Sequence, residues 1–303
     1  MIRAWLKRGA LWLGLALCTY ALWQSQQIAG DAIGLIHVTD WALVAGSLSA
    51  AWLLAVMTWR QYLIAYTDRD PGIRTAARQL GLLLVGKYVP GGAFGFLARL
   101  YDQPTTMRDR LFWAGLAEQA IGTAIPVAFG ALLIASAFSH TMLWLSFVLV
   151  LPPCAAVGVS LLHRLSCKLP WLGRRSAHVQ EPDWQRVVGA SALQLGAQAA
   201  WVVLIFVLVR ALFALDIYAA LGIAGAFWLA VAGGMLALIV PGGIGVREAV
   251  LIGLSAPWLG ITQALFLASL LRILSMALDI GAGTIAALLR QTDAQFGNEP
   301  VGQ

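Results

Sequence analysis

The chain has 303 residues, 60% of them hydrophobic and 11% charged, against roughly 25% charged in a typical soluble domain. Apolar runs of about 20 residues recur along its length, which excludes an ordinary soluble enzyme, and the short dyad alternation of a β-barrel is absent. The formal charge of +6 lies in short segments between apolar runs, where cations set topology instead of binding nucleic acid.

Arg3, Lys7 and Arg8 precede a first predicted helix at about residues 9–23. A signal-peptide reading fails for want of an A-x-A-like cleavage site, so an uncleaved helix with a cytoplasmic N-terminus is expected. The connection 24–40 holds Asp31 and Asp40 but no Lys or Arg, which places it outside. A second helix, about 41–59, returns to the basic stretch of Arg60, Arg69, Arg74 and Arg78. The apolar segment 80–99 then runs into Arg99, Arg108 and Arg110, so both its flanks read as cytoplasmic. One crossing violates the positive-inside rule, whereas a re-entrant hairpin turning at Pro90-Gly91-Gly92 satisfies it. Irregular backbone at membrane depth is tolerated only where protein or water covers it, so this turn is expected to line a cavity.

Helices at about 111–138 and 142–162 form an in-out-in pair, the second kinked by Pro152-Pro153. The basic connection 163–186 follows, with Arg164, Lys168, Arg174, Arg175 and Arg186. A fifth helix, about 187–213, crosses outward. Segment 217–260 is apolar but broken by Pro241-Gly242-Gly243 and by Arg247-Glu248; parity makes it a second hairpin entering from the outer face, although 217–240 is also long enough to span. A last helix, about 262–289, leads to a cytoplasmic tail, 291–303. The expected fold class is therefore an all-α polytopic integral membrane protein. It forms one transmembrane domain of about six full spans plus two re-entrant, Pro-Gly-Gly-broken hairpins. The two halves, 1–162 and 187–290, are arranged as inverted repeats, a pattern that places a transport site between them.

Proline ends a half-helix and glycine permits a sharp turn; the helix that restarts presents unpaired N–H groups and a positive dipole end, which favour phosphate or carboxylate. Lys87, Arg99 and Arg247 flank these breaks and reinforce that preference. Glu118 and Glu248 are intramembrane acids that balance the cations; Arg272 and Asp279 share a helix face, and each is expected to form an ion pair with another helix or to relay protons. Gln194 and Gln198, one helical turn apart, read as interhelical glue. The scattered Cys18, Cys154 and Cys167 and the four histidines offer no metal spacing. "GLLLVGKY" mimics a P-loop, but Tyr88 replaces the magnesium-binding hydroxyl and no strand precedes it. No catalytic motif is visible, and no cofactor or metal is expected.

At its two breaks the chain resembles the lysylphosphatidylglycerol synthase transmembrane-region family, the flippase-like membrane part of the multiple peptide resistance factor proteins, also found as stand-alone membrane proteins. The residues that carry the resemblance are "GKYVPGGAFGFLARLYD", Glu118 and "PGGIGVREA". It implies an inverted-repeat fold that moves phospholipid or polyprenyl-linked headgroups between leaflets. By position it points to Pro90, Gly91, Gly92, Gly95 and Arg99 in the first motif, and to Pro241, Gly242, Gly243, Gly245, Arg247 and Glu248 in the second. Only a short tail follows Arg290, so no soluble aminoacyl-transfer domain is expected. The expectation is a non-enzymatic, lipid flippase-like protein of a bacterial inner membrane, with both termini cytoplasmic. It would handle an anionic phospholipid or polyprenyl-phosphate lipid. Two alternatives stand beside it: a non-transporting scaffold for a glycosyltransferase or other envelope-lipid enzyme, and an integral-membrane transferase.

Overall fold

The computed structural model describes residues 34, 36–88, 94–141, 143–166, 181–237, 243 and 245–296, and the fold is reported for these. They form helices and no strand. In chain order these are α1 (Val38–Thr67), α2 (Gly72–Gly86), α3 (Phe94–Tyr101), α4 (Arg108–Ser139), α5 (Leu151–Ser166), α6 (Trp184–Phe213), α7 (Ile217–Leu236) and α8 (Val246–Phe296). Gly260, with φ 72°, breaks α8 into two segments, 246–259 and 261–296. Five helical stretches are long and apolar enough to cross a membrane: Val38–Thr67, Thr105–Ser139, Trp184–Phe213, Ile217–Leu236 and Val246–Leu289. The chain is an all-α, multi-pass membrane protein. The helix expected at 9–23 lies outside the described residues.

Polar residues begin the helices. The Asp183 carboxylate accepts from the Gln185 N–H at 2.9 Å and starts α6; Asp216 accepts from the Ala219 N–H at 2.8 Å and starts α7. At the α1–α2 corner Arg60 Nε donates to Asp70 at 2.8 Å and the Gly72 N–H donates to it at 3.0 Å. Those bonds hold the Asp70 carboxyl down at about 2. The stretch expected as a helix at 142–162 differs in form. It is a 3-10 turn, Leu143–Val150, followed by α5. Pro152 and Pro153 open α5 and do not kink it, because in a first turn proline's missing N–H has no helical partner to lose.

The helices pack through named antiparallel contacts. Along α1 and α6, the Asp183 N–H donates to the Ala65 carbonyl at 3.2 Å, and Arg186 bonds Gln61 at 3.3 Å. α2 lies on segment 261–296, where Gly81 has no room for a Cβ against Ala282 and Ala286, and Gly283 none against Val85. Likewise α7 lies on α4, with Gly225 against Gly130 and Gly222 beside Ala137. Small residues allow this close approach where lipid removes the hydrophobic drive for helices to associate.

Two helix pairs double back. α3 returns along α2: Arg78 pairs with Asp102 at 3.1 Å, and Arg99 Nε donates to the Gln79 carbonyl at 2.8 Å. Near the turn the helices cross at Gly86 and Gly95, where a Cβ on Gly86 would sit 2.2 Å from the Gly95 Cα. Segment 246–259 returns along α7 in the same way. Gly243, at φ 65°, meets Gly234 near the turn, and Trp258 packs on Gly222 near the open ends.

One end of the bundle collects Arg60, Arg69, Arg74, Arg78, Arg108, Arg110 and Arg186. There the α1 terminus meets the α4 start, Arg110 donating to the Thr67 carbonyl at 3.2 Å. The opposite end is aromatic, with His140 against Tyr218 at 5.0 Å and Phe138 against Trp258 at 5.3 Å. The α2–α3 pair opens toward the basic end and the α7–246–259 pair toward the aromatic end.

Candidate functional site

The helix ends beside both turns, at Lys87–Tyr88 and at Gly245–Glu248, come together partway along the bundle, beside segment 261–296. Lys87 closes the last turn of α2, its N–H bonded to the Leu83 carbonyl. Its side chain crosses to the last helix, where Nζ donates to Asp279 Oδ1 at 2.9 Å. The Tyr88 hydroxyl donates to the other oxygen, Asp279 Oδ2, at 2.5 Å. At the second turn Glu248 accepts from the Gly245 N–H at 2.6 Å and lies 3.6 Å from Arg272 Nη1. The first contact is half of a capping box: a carboxylate in the first helical turn reaches back to an N–H left orphaned at the helix start. Glu248 therefore organises the restart of the helix and ties it to the last one.

The sequence motifs fall into two groups. Arg99 is 2% exposed and fully engaged: it pairs with Glu118, donates to the Gln79 carbonyl and lies 4.0 Å over the Trp59 ring. Gln79 is fixed in turn by the Trp59 indole N–H at 2.9 Å. Arg99 was expected to hold a ligand phosphate, but here it neutralises Glu118 and clamps α3 to α1, α2 and α4. Gly95 and Gly243 are closest-approach glycines, and Gly245, at φ 86°, begins the second restart. Pro90, Gly91, Gly92, Pro241 and Gly242 lie outside the described residues.

Lys87, Glu118, Arg247 and Asp279 share one cavity of about 270 Å³. Its wall on α6 carries Gln194, Gln198 and Trp201; α1 contributes Trp52, and α7 contributes Phe227 and Trp228. On α4, Gln119, Gly122 and Pro126 complete it. Pro126 lacks the N–H that the Gly122 carbonyl would otherwise receive, so that bond is missing from the helix beside the cavity.

Arg247 differs from the other cations. Its guanidinium lies 4.7 Å over the Phe227 ring and makes no ion pair or hydrogen bond with any described residue. Around the two turns the cations Lys87, Arg247 and Arg272 outnumber the acids Glu248 and Asp279, so one positive charge remains in excess. A lone cation deep in a membrane helix costs about 2.5–3.5 kcal/mol on insertion scales, and a bound anion would offset that cost.

Arg272 and Asp279 were each expected to pair with another helix or to relay protons. The structure directs Asp279 to Lys87 and Tyr88, and Arg272 to Glu248. Gln194 and Gln198 were read as glue between helices. Both line the cavity instead, and the side-chain oxygen of each lacks a hydrogen-bond partner among the described residues. Tyr88, Gln119, Ser275 and the tryptophans were not singled out as site residues. An aromatic next to the Gly-Lys pair and a Glu-Gln dipeptide in an apolar helix were the available signals. No protein-family model, curated protein or solved structure matches the chain.

Proposed function

We propose that the protein binds, and moves between leaflets, a lipid whose headgroup carries a phosphate, and that Arg247 is the residue that meets it. The observation that carries this reading is the unpaired Arg247 guanidinium in a cavity inside an otherwise apolar bundle. An anion entering there would gain Arg247 directly and could draw Lys87 from Asp279. The acyl or prenyl chains would stay in the bilayer.

In this reading the doubled-back pairs are re-entrant hairpins and the halves 1–162 and 187–290 are inverted repeats. Reciprocal packing supports it: α1 and α6 pair antiparallel, while α2 lies on the last helix and α7 on α4. A site at the meeting of two broken segments is the arrangement of alternating-access transporters. The basic end would face the cytoplasm of a bacterial inner membrane, by the positive-inside rule. The resemblance to the lysylphosphatidylglycerol synthase transmembrane-region family points the same way.

The test is reconstitution into vesicles with a fluorescent anionic phospholipid in both leaflets, scored by bleaching from outside. Wild-type protein is expected to exchange the label, and Arg247→Gln protein is expected to lose exchange. Equal exchange by the two proteins would refute the role of Arg247. Tight lipid binding without exchange would replace transport by the presentation of lipid to a partner enzyme.

A further inference from the structure

The cavity holds more than charge. Resting on the lipid reading above, we infer that the headgroup bears an uncharged, hydroxyl-rich group, a polyol or a single sugar, joined to a monoanionic phosphodiester.

The first argument is the pattern of unpartnered polar atoms. Four side chains of the cavity wall carry a buried polar atom with no hydrogen-bond partner among the described residues: the oxygens of Gln194 and Gln198 and the indole nitrogens of Trp52 and Trp228. Gln198 is 3% exposed and Trp228 7% exposed, so bulk solvent does not serve them. Buried polar groups in folded proteins are ordinarily bonded, and an unbonded one marks strain, water or a ligand. Here the atoms are of both kinds: the amide oxygens require a donor and the indole N–H groups require an acceptor. A hydroxyl supplies both. An ammonium group donates only and would leave the indoles unserved, and an apolar ester would leave the amides unserved. The four atoms are closed off in this geometry, so a ligand would meet them through a change of rotamer of the side chains that line the cavity.

The second argument is charge. The turns carry one positive charge in excess, which one phosphodiester oxyanion balances and a phosphomonoester dianion overshoots. The third is size. A volume of about 270 Å³ lies just below the roughly 300–1,000 Å³ of small-molecule sites, a size that suits a single ring. Gln194, Gln198 and Trp201 follow one another at helical spacing on α6, so the amides and an aromatic ring form one wall. Such a wall suits a ring that has hydroxyls at its edge and C–H groups on its face.

The full chain, reconstituted in neutral phosphatidylcholine nanodiscs, would be titrated with phosphatidylinositol, phosphatidylmethanol and phosphatidylethanolamine, and separately with soluble glycerophosphoinositol. Phosphatidylmethanol has the same single charge as phosphatidylinositol and no headgroup hydroxyl. Phosphatidylinositol is expected to bind about tenfold more tightly than phosphatidylmethanol, one ordinary hydrogen bond's worth of discrimination. Phosphatidylethanolamine is expected to bind weakest. Gln198→Leu should reduce the preference to within about twofold. Gln194→Leu provides the same readout should the first variant fail to fold. Equal binding of phosphatidylinositol and phosphatidylmethanol, both dependent on Arg247, would overturn the hydroxyl inference and keep the phosphate reading. Binding of no anionic lipid would overturn both. Equally tight binding of glycerophosphoinositol with the same Gln198 dependence would uphold the hydroxyl chemistry and assign the site to a free phosphodiester.

Discussion

Lys87 and Asp279 are 192 residues apart in the chain and meet at 2.9 Å. The lysine ends the ascending arm of the first doubled-back pair, and the aspartate lies partway along the last helix. Asp279 is 4% exposed and Lys87 36%, so the carboxylate depends on the contact more than the ammonium does. Lys87→Met is therefore expected to destabilise the protein more than Asp279→Asn. The double variant should be less destabilised than the two single effects summed, with a coupling of about 1 kcal/mol, typical of polar pairs between membrane helices. Thermal unfolding of the four proteins in one detergent measures the cycle, and strict additivity would show that the pair carries no coupling.

Two arginines of similar sequence setting should respond oppositely to the same substitution. Arg99→Gln leaves Glu118 buried without its counter-ion and is expected to cost about 3–5 kcal/mol. Arg247→Gln removes a cation that has no ion-pair or hydrogen-bond partner among the described residues, so stability should be unchanged or raised by up to about 3 kcal/mol while anionic-lipid binding is lost. Unfolding curves measured beside lipid titrations separate the two. Loss of stability on both substitutions would show that Arg247 also has a structural partner.

Glycines at the crossings should tolerate no side chain. A Cβ on Gly86 would lie 2.2 Å from the Gly95 Cα, and one on Gly243 would lie 2.8 Å from the Gly234 Cα at a positive φ. Gly86→Ala and Gly243→Ala are expected to destabilise by about 1–3 kcal/mol or more, since backbone has to move. Gly46 on α1 has nothing within 4 Å of such a Cβ, and Gly46→Ala is expected to stabilise by up to about 1 kcal/mol. Opposite signs in unfolding assays are the expected result.

The basic and aromatic ends should lie on opposite sides of the membrane. In a chain freed of Cys18, Cys154 and Cys167, Arg74→Cys and Thr141→Cys each place one thiol at one end. An impermeant maleimide added to intact cells should label the Thr141→Cys protein alone. Labelling of both would contradict the assignment of the ends.

Element positions were legible wherever apolar runs met Pro, Gly or Arg, because those residues act locally: α2 ends at Gly86 and α7 at Leu236, each shortly before a Pro-Gly-Gly, and the corner after Thr67 appears. Partner choice was not legible. The sequence marked Arg272 and Asp279 as able to pair with another helix but not with which: both partners of Asp279 come from the end of α2, across a packing contact between Gly81 and Ala282 that no local pattern encodes. The difference between Arg99 and Arg247 was hidden for the same reason, since it rests on Glu118, Gln79 and Trp59 arriving from three other helices. Gln194 and Gln198 were visible as a stripe, but helical spacing alone does not tell an interface from a cavity wall.

Segment 261–296 holds Asp279 against the first turn and Arg272 against the second, two helical turns apart on one rod. Sliding or rotating that rod would stretch both ion pairs at once, and holding either pair would restrain the other. The two ion pairs are thus geared to a single shaft, so whatever loosens Lys87 from Asp279 would be felt at Glu248 without crossing the space between them.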